Sequence, residues 1–496
     1  MRKGIEMTFS MINRRGFIQG SIAAGAAVSL LPTSRVLGAN NRINIGIIGC
    51  GGKGNAHIGW FSKIKNLSIV AVSDPDKRHM SGAARRAARG HKVAQYQDFR
   101  KLLEDKNVDL VVIATPNHWH APLTVMACQA GKDVYVEKPA SHSIWEGRKM
   151  VEAARKYKRI VQVGTQQRSD PALIEMKNGL ARKELGELQW AHALWYAYRN
   201  PIGKVNGPTP IPKHINYDLW CGPRPVVPLM RKRLHYDWHW MWDYGNGDMG
   251  NRVIHNVDDI HHVLQLKTLP TRAMAVGGRF GFDDDAQTPN TLFTWLEGGT
   301  IPIVMESRNL PLRKVKKGKR GTTSIYNRFN RKHRFTNIIK CEGGFFAVTR
   351  GGGGVYDNNG KLIRRIKGDS GAGHAENFIS AVRSRKVSDL NADILGGHLS
   401  AAMVHMGNIS YRVGKATGVD QVRDRVKGGI EAKETFKQML SHVKANGLDI
   451  NKEKLILGPW LTFNDKTERF TGEHAAEANK YVREDYREQY GIKDEV

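Results

Sequence analysis

An apolar run, Ile43-Asn44-Ile45-Gly46-Ile47-Ile48, leads into Gly49-Cys50-Gly51-Gly52-Lys53-Gly54. Gly49, Gly51 and Gly54 have the G-x-G-x-x-G spacing. The first permits a tight turn, the second lets the backbone approach a pyrophosphate, and the third lets a helix pack closely on the strand. The N-terminus of that helix then faces phosphate charge, with Gly52 and Lys53 in the same turn. A second apolar run, Leu67-Ser68-Ile69-Val70-Ala71-Val72, ends near Asp74, 20 residues past Gly54. A carboxylate there binds ribose hydroxyls, so a dinucleotide is the expected ligand. Asp74 favours NAD, because its charge repels a 2′-phosphate. Lys77 and Arg78 are close enough in sequence to keep NADP open.

Two further sets suit chemistry on an alcohol. Lys138 follows the run Asp133-Val134-Tyr135-Val136, so it sits past a strand's carboxyl end, where ligands of open α/β sheets bind. A lysine there can hold and polarise a reacting oxygen, and its pKa falls if it is desolvated. Asn251, His255 and Asp258 share a helical face by i, i+4 and i+3 spacing, and an imidazole of ordinary pKa about 6.5 suits proton transfer. The stretch His235-Tyr236-Asp237-Trp238-His239-Trp240-Met241-Trp242-Asp243-Tyr244 is rich in aromatics. Such rings stack on sugar C–H faces while neighbouring polar groups bind hydroxyls. Tyr236, Trp238, His239, Trp240, Asn251, Asp258 and Arg168 are the expected substrate contacts. No H-E-x-x-H or closed Cys/His set appears, so no metal is expected.

With Thr115-Pro116-Asn117-His118-Trp119-His120 and Glu137-Lys138-Pro139 added to the glycine turn, the sequence from about 42 to 415 resembles the glucose–fructose oxidoreductase / inositol dehydrogenase (Gfo/Idh/MocA) family. The resemblance implies a Rossmann domain, a larger α/β domain whose open sheet supports homo-oligomers, and sugar or polyol substrates. It adds Thr115, Pro116, Asn117, His120 and Glu137 to the cofactor contacts. It makes Lys138 a catalytic group as well as a cofactor contact, His255 the proton acceptor and Asn251 the third member of the catalytic set. Asn251 stands where many relatives carry Asp; it can bond a hydroxyl but cannot act as a base, which shifts weight onto His255 and Lys138.

These residues need a scaffold. Up to about residue 165, Val/Ile-rich runs alternate with helical patterns, with crossover helices expected over 121–130 and 143–157. That implies a doubly wound parallel sheet, the Rossmann domain, over 40–165. Strand-like runs at 187–198, 272–282, 291–296, 301–307 and 336–342, with a helix at 249–266, imply an α+β domain over 166–427 with a large open, mainly antiparallel sheet. Helices at 374–384 and 392–415 should return toward the first domain. The tail over 428–496 reads as charged and mostly helical.

The chain has 496 residues and a net charge of +30. Part of that charge concentrates over 313–334, which reads as a solvated loop or an anionic-polymer contact; no nucleic-acid motif accompanies it. Arg14 and Arg15 in Asn13-Arg14-Arg15-Gly16-Phe17-Ile18-Gln19, followed by a mildly apolar stretch at 20–31, read as a twin-arginine export signal over 1–39. The expectation is periplasmic or extracytoplasmic residence after passage through the translocase, either freed or held at the membrane by an uncleaved signal. Because that route moves folded proteins, a tightly held, internally recycled cofactor is expected. Cys50, Cys128, Cys221 and Cys341 are scattered, with no disulfide spacing. The leading expectation is an oxidoreductase acting on a sugar, polyol or glycoside hydroxyl. The alternative is a redox-neutral glycosidase or lyase working through a ketosugar. A non-catalytic carbohydrate-binding relative would be expected to lack the lysine or the glycine turn, and both are present.

Overall fold

Strand β1 (Ile43–Ile48) is followed by β2 (Leu67–Ser73), β3 (Ala94–Tyr96), β4 (Leu110–Ile113), β5 (Asp133–Val136) and β6 (Val161–Val163). All six pair in parallel in the order β3-β2-β1-β4-β5-β6. Every residue of β4 and β5 is buried, as a parallel sheet covered on both faces requires. The strand order reverses between β1 and β4, and ligands of such sheets bind outside the carboxyl ends at that point. The computed structural model describes residues 42–311, 336–426 and 429–496. The export segment and the basic 313–334 stretch lie outside the described residues.

The helices of this half start where the sequence offers a cap. The helix Ile144–Lys156 begins with a reciprocal Ser143/Glu146 capping box, which satisfies two orphan amides. Asp76 caps Lys77–Ala87 through the Arg78 and His79 amides. Asp170 caps Pro171–Ala181, with proline in the first turn.

The second sheet contains β7 (Leu188–Tyr196), β8 (Arg272–Gly278), β9 (Thr291–Glu297), β10 (Ile303–Arg308), β11 (Asn337–Cys341), β12 (Gly344–Thr349), β13 (Gly352–Asp357) and β14 (Leu362–Lys367). Short strands β15 (Lys415–Ala416), β16 (Ile456–Leu457), β17 (Leu461–Asn464) and β18 (Arg469–Thr471) complete its twelve strands. Among the described residues of this sheet only β7 and β10 pair in parallel; the other pairs are antiparallel, as expected for the open sheet. Alternation along β8 sends Ala273 and Ala275 to one face and Met274 and Val276 to the other. The first face packs on the helices Pro171–Ala181, Ile254–Leu264 and Ile394–Val413. On the second face, Phe436, Met439 and Val443 of the helix Ile430–Ala445 cover β8 and β9.

The tail differs from expectation. Only its first part is a long helix; β16–β18 then extend the sheet edge, and Tyr490, Ile492 and Val496 pack among Phe99, Trp119 and Leu123 of the Rossmann core. Its short apolar pairs, interrupted by Gly458 and Pro459, carry too little periodicity to read as strands. The hairpins β12–β14 were likewise not anticipated, because their glycines mask the alternation. The helix His374–Ser384 does return, placing Phe378 and Ile379 in the core behind β1.

Candidate active site

The turns after β1, β4 and β5 open on a cavity of about 780 Å³, within the size range of small-molecule sites. At one end lies the glycine turn. Gly49 has φ +89°, and a Cβ there would meet the Ala114 backbone at 2.7 Å, so the turn demands glycine. At Gly54 a Cβ would fall 1.9 Å from the Gly49 carbonyl oxygen; this glycine sets the helix–strand packing and does not line the cavity. At Gly51 a Cβ would meet nothing within 4 Å, which leaves room for a phosphate against bare backbone. The following helix, Gly52–Phe61, has no side-chain cap and no acid in its first turn. Its free amides and positive dipole end are left for an anion. Asp74 is buried and accepts from the Cys50 and Asp76 amides at 2.7 and 2.8 Å; burial pushes its carboxyl up to about 6. Thr115 Oγ1, in the cavity wall, has no partner among the described residues. These features fit a dinucleotide running from Asp74 across Gly51 and Gly52 toward Thr115.

At the other end, Lys138 follows β5, and its peptide bond to Pro139 is cis. Its Nζ donates to the Asn251 carbonyl oxygen at 2.7 Å and lies 3.4 Å from Asn251 Oδ1. Burial lowers its pKa to about 8, against the opposing pull of Glu137. Burial alone would raise the Glu137 carboxyl, but Lys53 at 3.1 Å and His57 at 2.9 Å hold it well below the usual range. Lys53 thus bridges the glycine turn and the lysine turn. His120 connects two more turns, with Nδ1 2.6 Å from the Pro139 carbonyl oxygen and Nε2 3.0 Å from that of Thr115. Asn117 donates to Asn246 at 3.0 Å. His118 instead bonds the Trp220 carbonyl and packs against Trp220 and Tyr244, away from the cavity.

Asn251 and Arg252 lie in a π-turn, Met249–Val253, that opens directly into the helix Ile254–Leu264; such wide turns recur at functional sites. Asn251, Arg252 and His255 all line the cavity. Burial, followed by the charges of Lys138 and Arg350, holds His255 well below its ordinary range. At neutral pH its ring is therefore uncharged and able to accept a proton, while most of Lys138 is protonated. Tyr236, Trp238 and His239 complete this wall, and the last two are stacked at 3.7 Å.

Three expected substrate contacts are elsewhere. Arg168 and Asp258 form a buried bidentate pair at 2.8 and 2.7 Å, with Ser400 donating to Asp258 at 2.7 Å. Asp258 is wholly buried, and the pair joins the helix Ile254–Leu264 to its neighbours outside the cavity lining. The shared face proposed from spacing fails here because the π-turn offsets Asn251 and because Asp258 faces Arg168. Trp240 is 5% exposed and turned into the interior. Conversely, Arg252, Arg350, Gln166, the 369–373 loop and the first turn of the helix His374–Ser384 line the cavity without having been anticipated. Arg252 was adjacent to the recognised motif, but nothing in sequence ties residues 350 or 369–376 to it. The absence of a metal was inferred from spacing along the chain; in space, ligand atoms of Asp76, His79 and His235 lie within 4.8 Å of one another.

Comparison with known proteins agrees with this architecture. The model for the oxidoreductase family GFO_IDH_MocA, NAD-binding Rossmann fold, matches residues 43–165, and that for the family's C-terminal alpha/beta domain matches 190–309. Inositol 2-dehydrogenase of Rubrobacter xylanophilus is 35% identical over 151 residues, 30% of this chain and 42% of that protein. Inositol 2-dehydrogenase 4 of Saccharopolyspora erythraea is 36% identical over 165 residues, 33% and 47% respectively. The chain thus spans less than half the length of these curated relatives. Among solved structures, the WlbA dehydrogenase from Bordetella pertussis, in complex with NADH and UDP-GlcNAcA, superposes with TM-score 0.54 at 19% identity, over 75% of this chain and 97% of that one. Levoglucosan dehydrogenase, in complex with NADH and levoglucosan, gives 0.54 at 16% identity, over 74% and 96%. At such identities these two speak for the fold.

Proposed function

We propose that this chain, whose residues 43–165 and 190–309 match the models of the Gfo/Idh/MocA oxidoreductase family, oxidises a hydroxyl of a sugar, polyol or glycoside with a tightly held NAD(P). The observation that carries the reading is that Lys138 and His255 line the same cavity as the Gly49–Gly52 turn and Asp74. Gly51, Gly52 and the first amides of the helix Gly52–Phe61 would hold the pyrophosphate, Asp74 a ribose, and Thr115 the nicotinamide half. When bound, the nicotinamide supplies the two-electron acceptor.

The chain's own groups manage the oxygen and the proton. Lys138 holds the substrate hydroxyl and favours its deprotonated form; the Asn251 carbonyl keeps its ammonium in place. His255, neutral at pH 7, accepts the proton. Tyr236 and Trp238 provide faces for a ring's C–H groups, and Arg252 and Arg350 bring cationic donors for its oxygens. Asp74 supports NAD over NADP. We further assign the enzyme to the cell exterior through Arg14 and Arg15, with its cofactor recycled in place, and to homo-oligomers through the open sheet.

The test is to purify the protein without added nucleotide, denature it and identify the released dinucleotide. Sugars and glycosides are then screened for single-turnover reduction of the bound nicotinamide. A new carbonyl in the product supports net oxidation, whereas a cleaved glycosidic bond with the dinucleotide unchanged supports the redox-neutral lyase. His255→Ala should retain dinucleotide and slow reduction by about 10²–10⁴-fold, the usual worth of acid–base assistance. Replacing Arg14 and Arg15 by Lys should leave precursor in the cytoplasm; undiminished export would remove the twin-arginine assignment.

A further inference from the structure

We propose that Asp76, His79, His214 and His235 form a binding site for a divalent transition-metal ion of the zinc class. Three histidines from separate segments converge on one carboxylate at the rim of the cavity. His235 Nε2 lies 2.9 Å from Asp76 Oδ2, and His214 Nε2 lies 3.6 Å from the same oxygen. The His79 and His235 rings are 4.3 Å apart, centroid to centroid. Ligand atoms of Asp76, His79 and His235 all fall within 4.8 Å of one another. In a tetrahedral zinc site with bonds of about 2.0–2.2 Å, ligand atoms stand roughly 3.3 Å apart. Adjustments of about 1.5 Å or less therefore bring Asp76, His79 and His235 into a coordination shell; His214, outside that group but 3.6 Å from Asp76 Oδ2, stands beside it as the fourth donor.

The backbone is already arranged for it. Asp76 forms a β-bridge with Ile215, the Lys77 amide donates to the His214 carbonyl at 3.1 Å, and the Asn216 amide donates to that of Pro75 at 2.9 Å. These bonds fix His214 beside Asp76. His79 follows Asp76 by three residues at the start of the helix Lys77–Ala87, which places both on one face. The Trp238 indole donates to the His235 carbonyl at 3.2 Å. Asp76 Oδ1 is occupied by the Arg78 and His79 amides, which leaves Oδ2 turned toward the histidines, as outer hydrogen bonds orient metal-ligating carboxylates. The carboxylate is nearly fully buried, whereas the histidine side chains are 24–35% exposed.

The donor set selects the ion. Three imidazoles and one carboxylate, with no thiolate, suit zinc and its borderline neighbours, not magnesium or calcium, which prefer all-oxygen shells. A bound ion would join the turn after β2 to the segment between β7 and β8, beside Asp74. The site stands on these contacts alone and does not depend on the oxidoreductase reading.

The experiment uses the untagged full chain, treated with chelator, dialysed and titrated with zinc sulfate alone; bound metal is counted by mass spectrometry and the thermal midpoint is followed. Wild type should take up one zinc per chain and melt higher with zinc. His79→Ala and His235→Ala should each weaken binding by at least the roughly 10–100-fold that loss of an outer partner costs, and should lose the zinc-dependent rise. His474→Ala, at a histidine remote in sequence and on a different element, should behave as wild type. Because these ligand histidines are part-exposed, the variants are expected to fold, and a normal melting midpoint without zinc checks this. Failure of wild type to bind stoichiometric zinc, or undiminished binding by the His79→Ala/His235→Ala double variant, overturns the proposal.

Discussion

Lys138→Met separates the cost of placing a charge in the cavity from its use. Lysine in water titrates at 10.5, and in the folded, ligand-free protein Lys138 is lowered to about 8. At about 1.36 kcal/mol per unit, keeping that ammonium in the fold costs at most about 3 kcal/mol at neutral pH. Water in the cavity screens part of this. The variant also loses the bond to the Asn251 carbonyl, a loss of the order of 1 kcal/mol. Dinucleotide-free Lys138→Met should therefore be about 1–2 kcal/mol more stable than wild type at pH 7, while reduction of the nicotinamide slows by about 10²–10⁴-fold. The pH dependence has a definite sign. Below pH 8 both the folded and the unfolded lysine carry the proton, and the penalty is complete. Between pH 8 and 10.5 the unfolded chain binds more protons than the folded one, so wild-type stability rises with pH and the gap between the proteins closes. Denaturant midpoints of both proteins at pH 7 and near pH 10, with single-turnover nicotinamide absorbance, measure these effects. A variant less stable than wild type by the same margin at both pH values would show that Lys138 is not a desolvated charge. Turnover close to wild type would remove it from the chemistry.

Gly51→Val, whose added carbons enter open cavity, should fold normally and nearly abolish dinucleotide binding by calorimetry. Gly54→Ala, with its Cβ driven against the Gly49 carbonyl, should instead cost about 1–3 kcal/mol of stability through overpacking. Arg168→Ala leaves Asp258 buried without its guanidinium and should destabilise by about 3–5 kcal/mol; a raised KM in a variant of unchanged stability would restore Arg168 to the substrate contacts. Asn251→Asp loses the donor that now bonds Asp248 at 3.2 Å and adds a carboxylate beside Lys138. The alkaline limb of the pH–rate profile should move above about pH 8, and an unmoved limb would place Asn251 outside the lysine's field.

What the sequence made legible follows from how locally each feature is encoded. The Rossmann half, the glycine turn and Asp74 could be read because a strand, a turn and a helix follow one another within some thirty residues, and the chemistry belongs to that unit. Lys138 and His255, which the fold brings into one cavity lining, could be picked out because each sits inside a short motif of the resemblance. Asp258 was expected among the substrate contacts from a shared helical face, and such a face says which residues are neighbours, not which neighbour is protein and which is ligand. Only the fold shows that Asp258 meets Arg168 and Ser400. Arg350 and residues 369–376 reach the cavity from a hairpin and from a loop with the helix turn that follows it, with no sequence link to the motifs. The Asp76–His79–His214–His235 set is the extreme case. Its members are spread over 160 positions, and the only local clue is the three-residue step from Asp76 to His79. A search for metal-ligand spacing along the chain misses any site whose geometry is created by a tertiary bridge, and here that bridge is the pairing of Asp76 with Ile215.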